Sequence, residues 1–177
     1  SFAAWPDDGD WIDIRKDGAL MQDPLNDATG SRNIVSDSTH SVAKMYNDGT
    51  TLYFRMRMDK DPTGTGGQGQ LQAFGWGVLF ETDNVLNTYE FMLQLDGISK
   101  TEVIFFSENT TQGTLNDPSD NPEVAHSQVN LDANNHRVVA ADTSLNGDQD
   151  YFLDYQFSYN TIKTAAVMGD NDSIRLF

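Results

Sequence analysis

The chain has no cysteine among its 177 residues. That excludes a disulfide framework and any thiolate-ligated metal centre. Glutamate is scarce: Glu81, Glu90, Glu102, Glu108 and Glu123 stand against 22 aspartates. Glutamate is at home in helices, whereas aspartate favours turns, caps and calcium coordination. The acidity therefore belongs to loops, and helix is a minor component. Basic residues are few as well. Eleven Lys and Arg against 27 acids leave a formal net charge of −16, which argues against nucleic acid and anionic membranes as partners. No apolar run is long enough to cross a bilayer as a helix, so no membrane insertion is expected. The chain opens abruptly at Ser1 and closes inside the strand-like SIRLF. We expect a module of a longer protein, beside neighbouring domains of the same chain, in a bacterial cell-surface or secreted setting.

What is present is alternation. Asn47-Asp48-Gly49 separates two strand-like runs, and Asp-Gly supplies the positive φ that a tight hairpin turn needs. After it, Leu52, Phe54, Met56 and Met58 fall on one face, and Tyr53, Arg55 and Arg57 on the other. The run FGWGVLFE repeats the pattern, with Phe74, Trp76, Val78 and Phe80 on one side. YEFMLQLD sets Tyr89, Phe91, Leu93 and Leu95 against Glu90, Met92, Gln94 and Asp96. One apolar and one polar face predict antiparallel strands with a solvated side. Aligning the polar faces of these runs would bring Arg55 and Arg57 beside Gly75 and Gly77, with Glu90 and Gln94 beyond. The two glycines then mark either a close approach by a ligand or a gap filled by a neighbouring side chain.

Further strands are expected over 41–46, 101–107, 123–131, 136–142, 150–158 and 173–177. Long polar loops are expected over 59–70 and 108–122. The first forty residues read as irregular, with Asp7, Asp8, Asp10, Asp13 and Asp17 set around Trp5 and Trp11. The one helical segment spans 161–168, with Asn160 as its N-cap and Gly169 just past its end. About nine strands and one short helix predict a single all-β domain over 1–177. Its fold class is an antiparallel two-sheet β-sandwich, jelly-roll-like, built on 41–177 with the helix before the last strand.

Four segments carry a further likeness: LYFRMRMDKD, GWGVLFETDN, YEFMLQLDG and the closing YFLDYQFSYNTIKTAAVMGDNDSIRLF. Their order resembles the DOMON-like superfamily, which includes the family 9 carbohydrate-binding modules. The likeness covers roughly 41–177 and rests on pattern rather than on matched binding residues. It implies a β-sandwich, often calcium-stabilised, that binds sugars or haem or serves as a spacer in a modular extracellular protein.

Candidate chemistry follows from residue types. Asp7, Asp8, Asp10 and Asp13 put four carboxylates within seven residues, a donor set suited to a hard cation and hence to calcium, although the spacing of a helix–loop–helix calcium loop is absent. Asp59/Asp61, Asp148/Asp150 and Asp170/Asp172 are smaller groups of the same kind. Sugars stack on aromatic faces and bond to arginines, amides and carboxylates, which nominates Trp5, Trp11, Arg55, Arg57, Glu90 and Gln94. Two structural alternatives stand beside that reading: a cross-strand Arg–Glu ladder, and tryptophans that plug one end of the sandwich. Glu81-Thr-Asp83 opens like the ExDxxE pattern of sandwich glycosidases, but residue 86 is leucine and no paired acids share a strand, so no enzyme is expected. Met45, Met56, Met58 and Met92, with His40, His126 and His136, could in principle serve a haem. Met56 and Met58 lie on the apolar face, where methionine is usually core filler. The expected function is a non-catalytic extracellular module for a glycan, supported by calcium. The alternatives are an adhesive spacer and, less favoured, a haem-binding module.

Overall fold

Alternation of apolar and polar residues drives the architecture. The computed structural model describes residues 4–24, 27–64, 70–98, 101–114 and 123–177. The strands are β1 (Ile12–Asp13), β2 (Arg15–Lys16), β3 (Ala19–Leu20), β4 (Ala43–Asn47), β5 (Thr51–Met58), β6 (Gly75–Glu81), β7 (Thr88–Asp96), β8 (Val103–Thr114), β9 (Glu123–Asn130), β10 (His136–Ala140), β11 (Tyr151–Ser158) and β12 (Arg175–Leu176). The helix α1 (Tyr159–Ala165) lies between β11 and β12. One five-stranded sheet has the order β1-β4-β5-β11-β10. A second has the order β12-β6-β7-β8-β9, and β2 and β3 form a separate ribbon. Every pairing is antiparallel.

The two sheets face each other across one core. Leu52, Phe54, Met56 and Met58 of β5 and Leu153, Tyr155 and Phe157 of β11 meet Trp76, Val78 and Phe80 of β6, Phe91, Leu93 and Leu95 of β7, and Ile104 and Phe106 of β8. Ring contacts join the layers: Phe54 to Phe80 at 6.1 Å and Phe106 to Phe157 at 5.7 Å between centroids. Aromatic pairs of this kind add stability beyond the area they bury. The all-β sandwich and the helix before the last strand are as the alternation predicts.

Three local readings change. The N-terminal segment is not wholly irregular, since Ile12 and Asp13 pair with Met45 and Lys44 at the edge of the first sheet. The strand expected to end at 107 runs on to Thr114 as β8; the rest of the expected polar loop, 115–122, lies outside the described residues, as do 65–69 of the glycine-rich loop. The helix starts earlier than its sequence suggests. Ser158 is its N-cap, with an extended backbone and its side chain accepting from the Thr161 N–H at 3.2 Å. Its end is a paired closure. Met168 N–H donates to the Lys163 carbonyl and Val167 N–H to the Thr164 carbonyl, so the left-handed residue after the cap is Val167, at φ 53°, rather than Gly169.

Candidate functional site

The two sheets separate residues that a single polar face would have joined. β5 lies in the first sheet, and β6 and β7 lie in the second. Arg55 and Arg57 therefore sit on one outer surface of the sandwich, and Glu90 and Gln94 on the opposite sheet. Gly75 and Gly77 belong to that other sheet as well. A side chain at Gly75 would collide with the Gln94 amide, so Gln94 itself fills the gap there, and no arginine stem does.

On the first sheet, register assembles a charged row. Asp13 on β1 faces Lys44 on β4, Lys44 faces Arg55 on β5, Arg55 faces Asp154 on β11, and Asp154 faces Arg137 on β10. Asp154 is 0 % exposed. It accepts from Arg55 Nε and Nη2, both at 2.8 Å, and from Arg137 Nε at 2.8 Å. Lys44 Nζ lies 3.3 Å from Asp13. The cross-strand ladder is thus arginine to aspartate rather than arginine to glutamate, and charge-assisted forks of this geometry are the strong kind.

The face is not solvated. Tyr53, Arg55 and Arg57 are all buried; the segment leading into β1 lies across Tyr53 and Arg55, and Arg57 lies against Phe152 and Thr143. Trp11 covers Arg55, whose guanidinium sits 4.3 Å from the indole and 4.3 Å from the Phe152 ring. Trp5 meets Tyr53 edge-on at 6.0 Å, with the Arg137 guanidinium 4.7 Å from its ring. Cation–aromatic contacts hold long arginine stems in place at such sites. Beneath Trp5, burial, with Asp48 beside it, pushes the Tyr53 phenol up to about 12.

Beside the arginines lies a cleft of ≈430 Å³. Its walls include Lys44, Arg55, Arg57, Arg137, Phe152 and Asp142. Arg57 donates to the Thr143 hydroxyl and stands 3.9 Å from Asp142, while its Nε has no partner among the described residues. Burial draws the Arg57 pKa below its ordinary value, and Asp142 and Asp150 oppose the drop. The cleft falls within the size range of ligand pockets.

Of the six nominated ligand residues, Arg55 and Arg57 line the cleft, Trp11 packs on Arg55, and Trp5 packs on Arg137 and Tyr53. Glu90 and Gln94 do not join them. The nominated metal ligands do not converge either. Asp7, Asp8 and Asp10 form an exposed turn, in which Asp10 accepts from the Asp7 N–H. Asp8 reaches Arg55 at 3.4 Å, and Asp13 is held by Lys44. Among the described residues, carboxylate oxygens gather instead at Glu81, Asp83 and Glu90, all within 4.8 Å of one another. Arg175 already bonds to Glu81, and Thr82 N–H donates to Glu90 at 2.7 Å. Three oxygen donors suit a hard cation, although Arg175 competes for one of them. Met56 and Met58 are core residues. His126 pairs with Glu108, His136 with the Asp132 carbonyl, and His40 with Asp37.

No family model, curated protein or solved structure matches the chain. The likeness to the DOMON-like group stays a likeness of residue pattern.

Residue types alone left out the centre of this face. Asp154 is flanked by apolar neighbours in YFLDYQF, and that alternating position was its signal. Arg137 and Phe152 could be placed only once β10 and β11 were known to join β5.

Proposed function

We propose that the protein is a non-catalytic extracellular binding module that takes a carbohydrate on the outer face of its first sheet. The supporting observation is a ≈430 Å³ cleft walled by Arg55, Arg57, Arg137 and Phe152, with Trp5 packed on Arg137 and Trp11 packed on Arg55. Aromatic rings offer stacking faces for sugar rings, and fixed guanidinium forks supply directed hydrogen bonds to ring substituents. A bacterial surface or secreted setting and a DOMON-like ancestry belong to the same reading. Calcium support, suggested by the aspartate excess, has three oxygen donors available in Glu81, Asp83 and Glu90.

A glycan array run with calcium and again with a chelator tests both parts. Binding that disappears in Trp5→Ala supports the cleft. Silence on the array in both conditions rejects it. Calcium should raise the melting temperature of the wild type and leave Asp83→Asn unmoved; an equal rise in both would remove that trio from consideration. An adhesive spacer is the second reading. The Arg55–Asp154–Arg137 ladder favours it, because those charges satisfy one another without a ligand.

A further inference from the structure

The molecule carries a net charge of −16, yet Lys44, Arg55, Arg57 and Arg137 line one cleft. These are four of only eleven Lys and Arg in the chain. The buried carboxylate of Asp154 spends its oxygens on two of the three guanidiniums, those of Arg55 and Arg137. Arg57 is 2 % exposed, and the buried Asp150 acts on its charge without a hydrogen bond to it among the described residues. Its hydrogen-bond partner there is the neutral Thr143 hydroxyl. The remaining acids at the cleft are Asp8, whose side chain is 96 % exposed, and Asp142, at 87 %. They stand 3.4 Å from Arg55 and 3.9 Å from Arg57, so they are loosely held stand-ins that an incoming anion can displace.

The walls are therefore rich in donors. Arginine and lysine donate and cannot accept. A neutral sugar hydroxyl wants both a donor and an acceptor, whereas a carboxylate or sulfate only accepts, and it matches the guanidinium fork with two parallel bonds. We infer that the cleft selects an anionic glycan, with a carboxylate or sulfate group of the sugar seated against Arg57 and Arg137, which line its walls with Phe152. This inference rests on the carbohydrate reading above and narrows its ligand class.

The test is calorimetric titration of the protein with oligogalacturonate, with the methyl ester of the same oligomer, with a sulfated oligosaccharide and with a neutral cello-oligosaccharide. The inference expects the acid form or the sulfated form to bind at least ten-fold more tightly than the ester and the neutral oligomer, and which of the two it is names the anion. Arg137→Gln should weaken that binding by about ten-fold. Asp8→Asn and Asp142→Asn alter exposed side chains, so folding is not at stake, and each should tighten it several-fold by removing a competing carboxylate. Equal binding of acid and ester, or of charged and neutral oligomers, would overturn the anion selectivity and leave carbohydrate binding standing. Binding by none of the four would count against both.

Discussion

Asp154 serves two arginines from a position with no solvent, and its removal should be the most damaging single change on the first sheet. Asp154→Asn strands Arg55 and Arg137 beside a neutral amide, and breaking a buried ion pair in this way costs about 3–5 kcal/mol. Urea denaturation should show the loss, while Asp142→Asn at the exposed rim should stay within about 0.5 kcal/mol of wild type. Asp23 is a different residue-scale case. Burial, with Asp27 adding to it, pushes its carboxyl up to about 6 from the ordinary 3.8. The folded state thus holds the proton more tightly than the unfolded chain, so stability is greatest below the unfolded pKa and falls as pH rises from about 4 to about 6. The carboxyl is partly exposed, and roughly 1 kcal/mol survives solvent screening. Asp23→Asn should flatten that slope, and thermal melts at pH 4 and pH 7 would read it. Neither aspartate could be told from the other twenty by composition. What set them apart was burial against particular partners, which depends on tertiary position.

Elements were easier to foresee than their ends. The apolar face of β5, Leu52 to Met58, is core as its alternation predicts. Tyr53 and Arg55 on its polar face are buried for a reason that alternation does not encode, since their cover comes from a segment far back in the chain. The grouping of Arg55 with Glu90 failed on the same ground: a period of two says which residues share a face of one strand, and pairing decides which strands share a sheet. The helix ends show local competition. Asn160 is as good a cap as serine in isolation, but Ser158 ends β11 in an extended conformation and its hydroxyl reaches the Thr161 N–H first. At the other end Val167 holds φ 53°, and the residue is 89 % exposed. A left-handed backbone costs a side-chain-bearing residue about 1–2 kcal/mol, and a branched Cβ makes it worse. Val167→Gly should therefore stabilise the protein by roughly 1 kcal/mol, because no packing is lost at an exposed site. An unchanged or lower midpoint in denaturant would argue that the valine is not strained.

At the scale of the whole molecule, charge is the dominant feature. A net −16 on 177 residues sets like charges against one another across the surface, and self-repulsion of this kind favours expansion. Screening reaches about 8 Å at physiological ionic strength. The melting temperature should therefore rise as sodium chloride is added from 10 mM to 150 mM. A fall would mean that the attractive ladder on the first sheet outweighs the repulsion elsewhere. No helix among the described residues is long and apolar enough to cross a membrane. The sandwich class was readable at this scale because strand length, turn residues and the scarcity of glutamate all pointed one way. The cleft was not, because its walls come from β4, β5, β10 and β11 together.

The cover over the first sheet also has a consequence in time. Trp5 and Trp11 leave the ribosome before any strand of the sandwich, yet Trp5 seats on Arg137, which comes much later in the chain. Arg55 and Asp154, the pair beneath them, are 99 residues apart in the chain. Contacts of such separation form late and slowly. The segment that precedes the sandwich strands is thus among its last parts to settle, and until it does, Tyr53 and Arg55 stand open to whatever else is nearby. The indoles of Trp5 and Trp11 then act as a clock: in refolding experiments, their fluorescence should change in a phase slower than the rise of β-sheet signal.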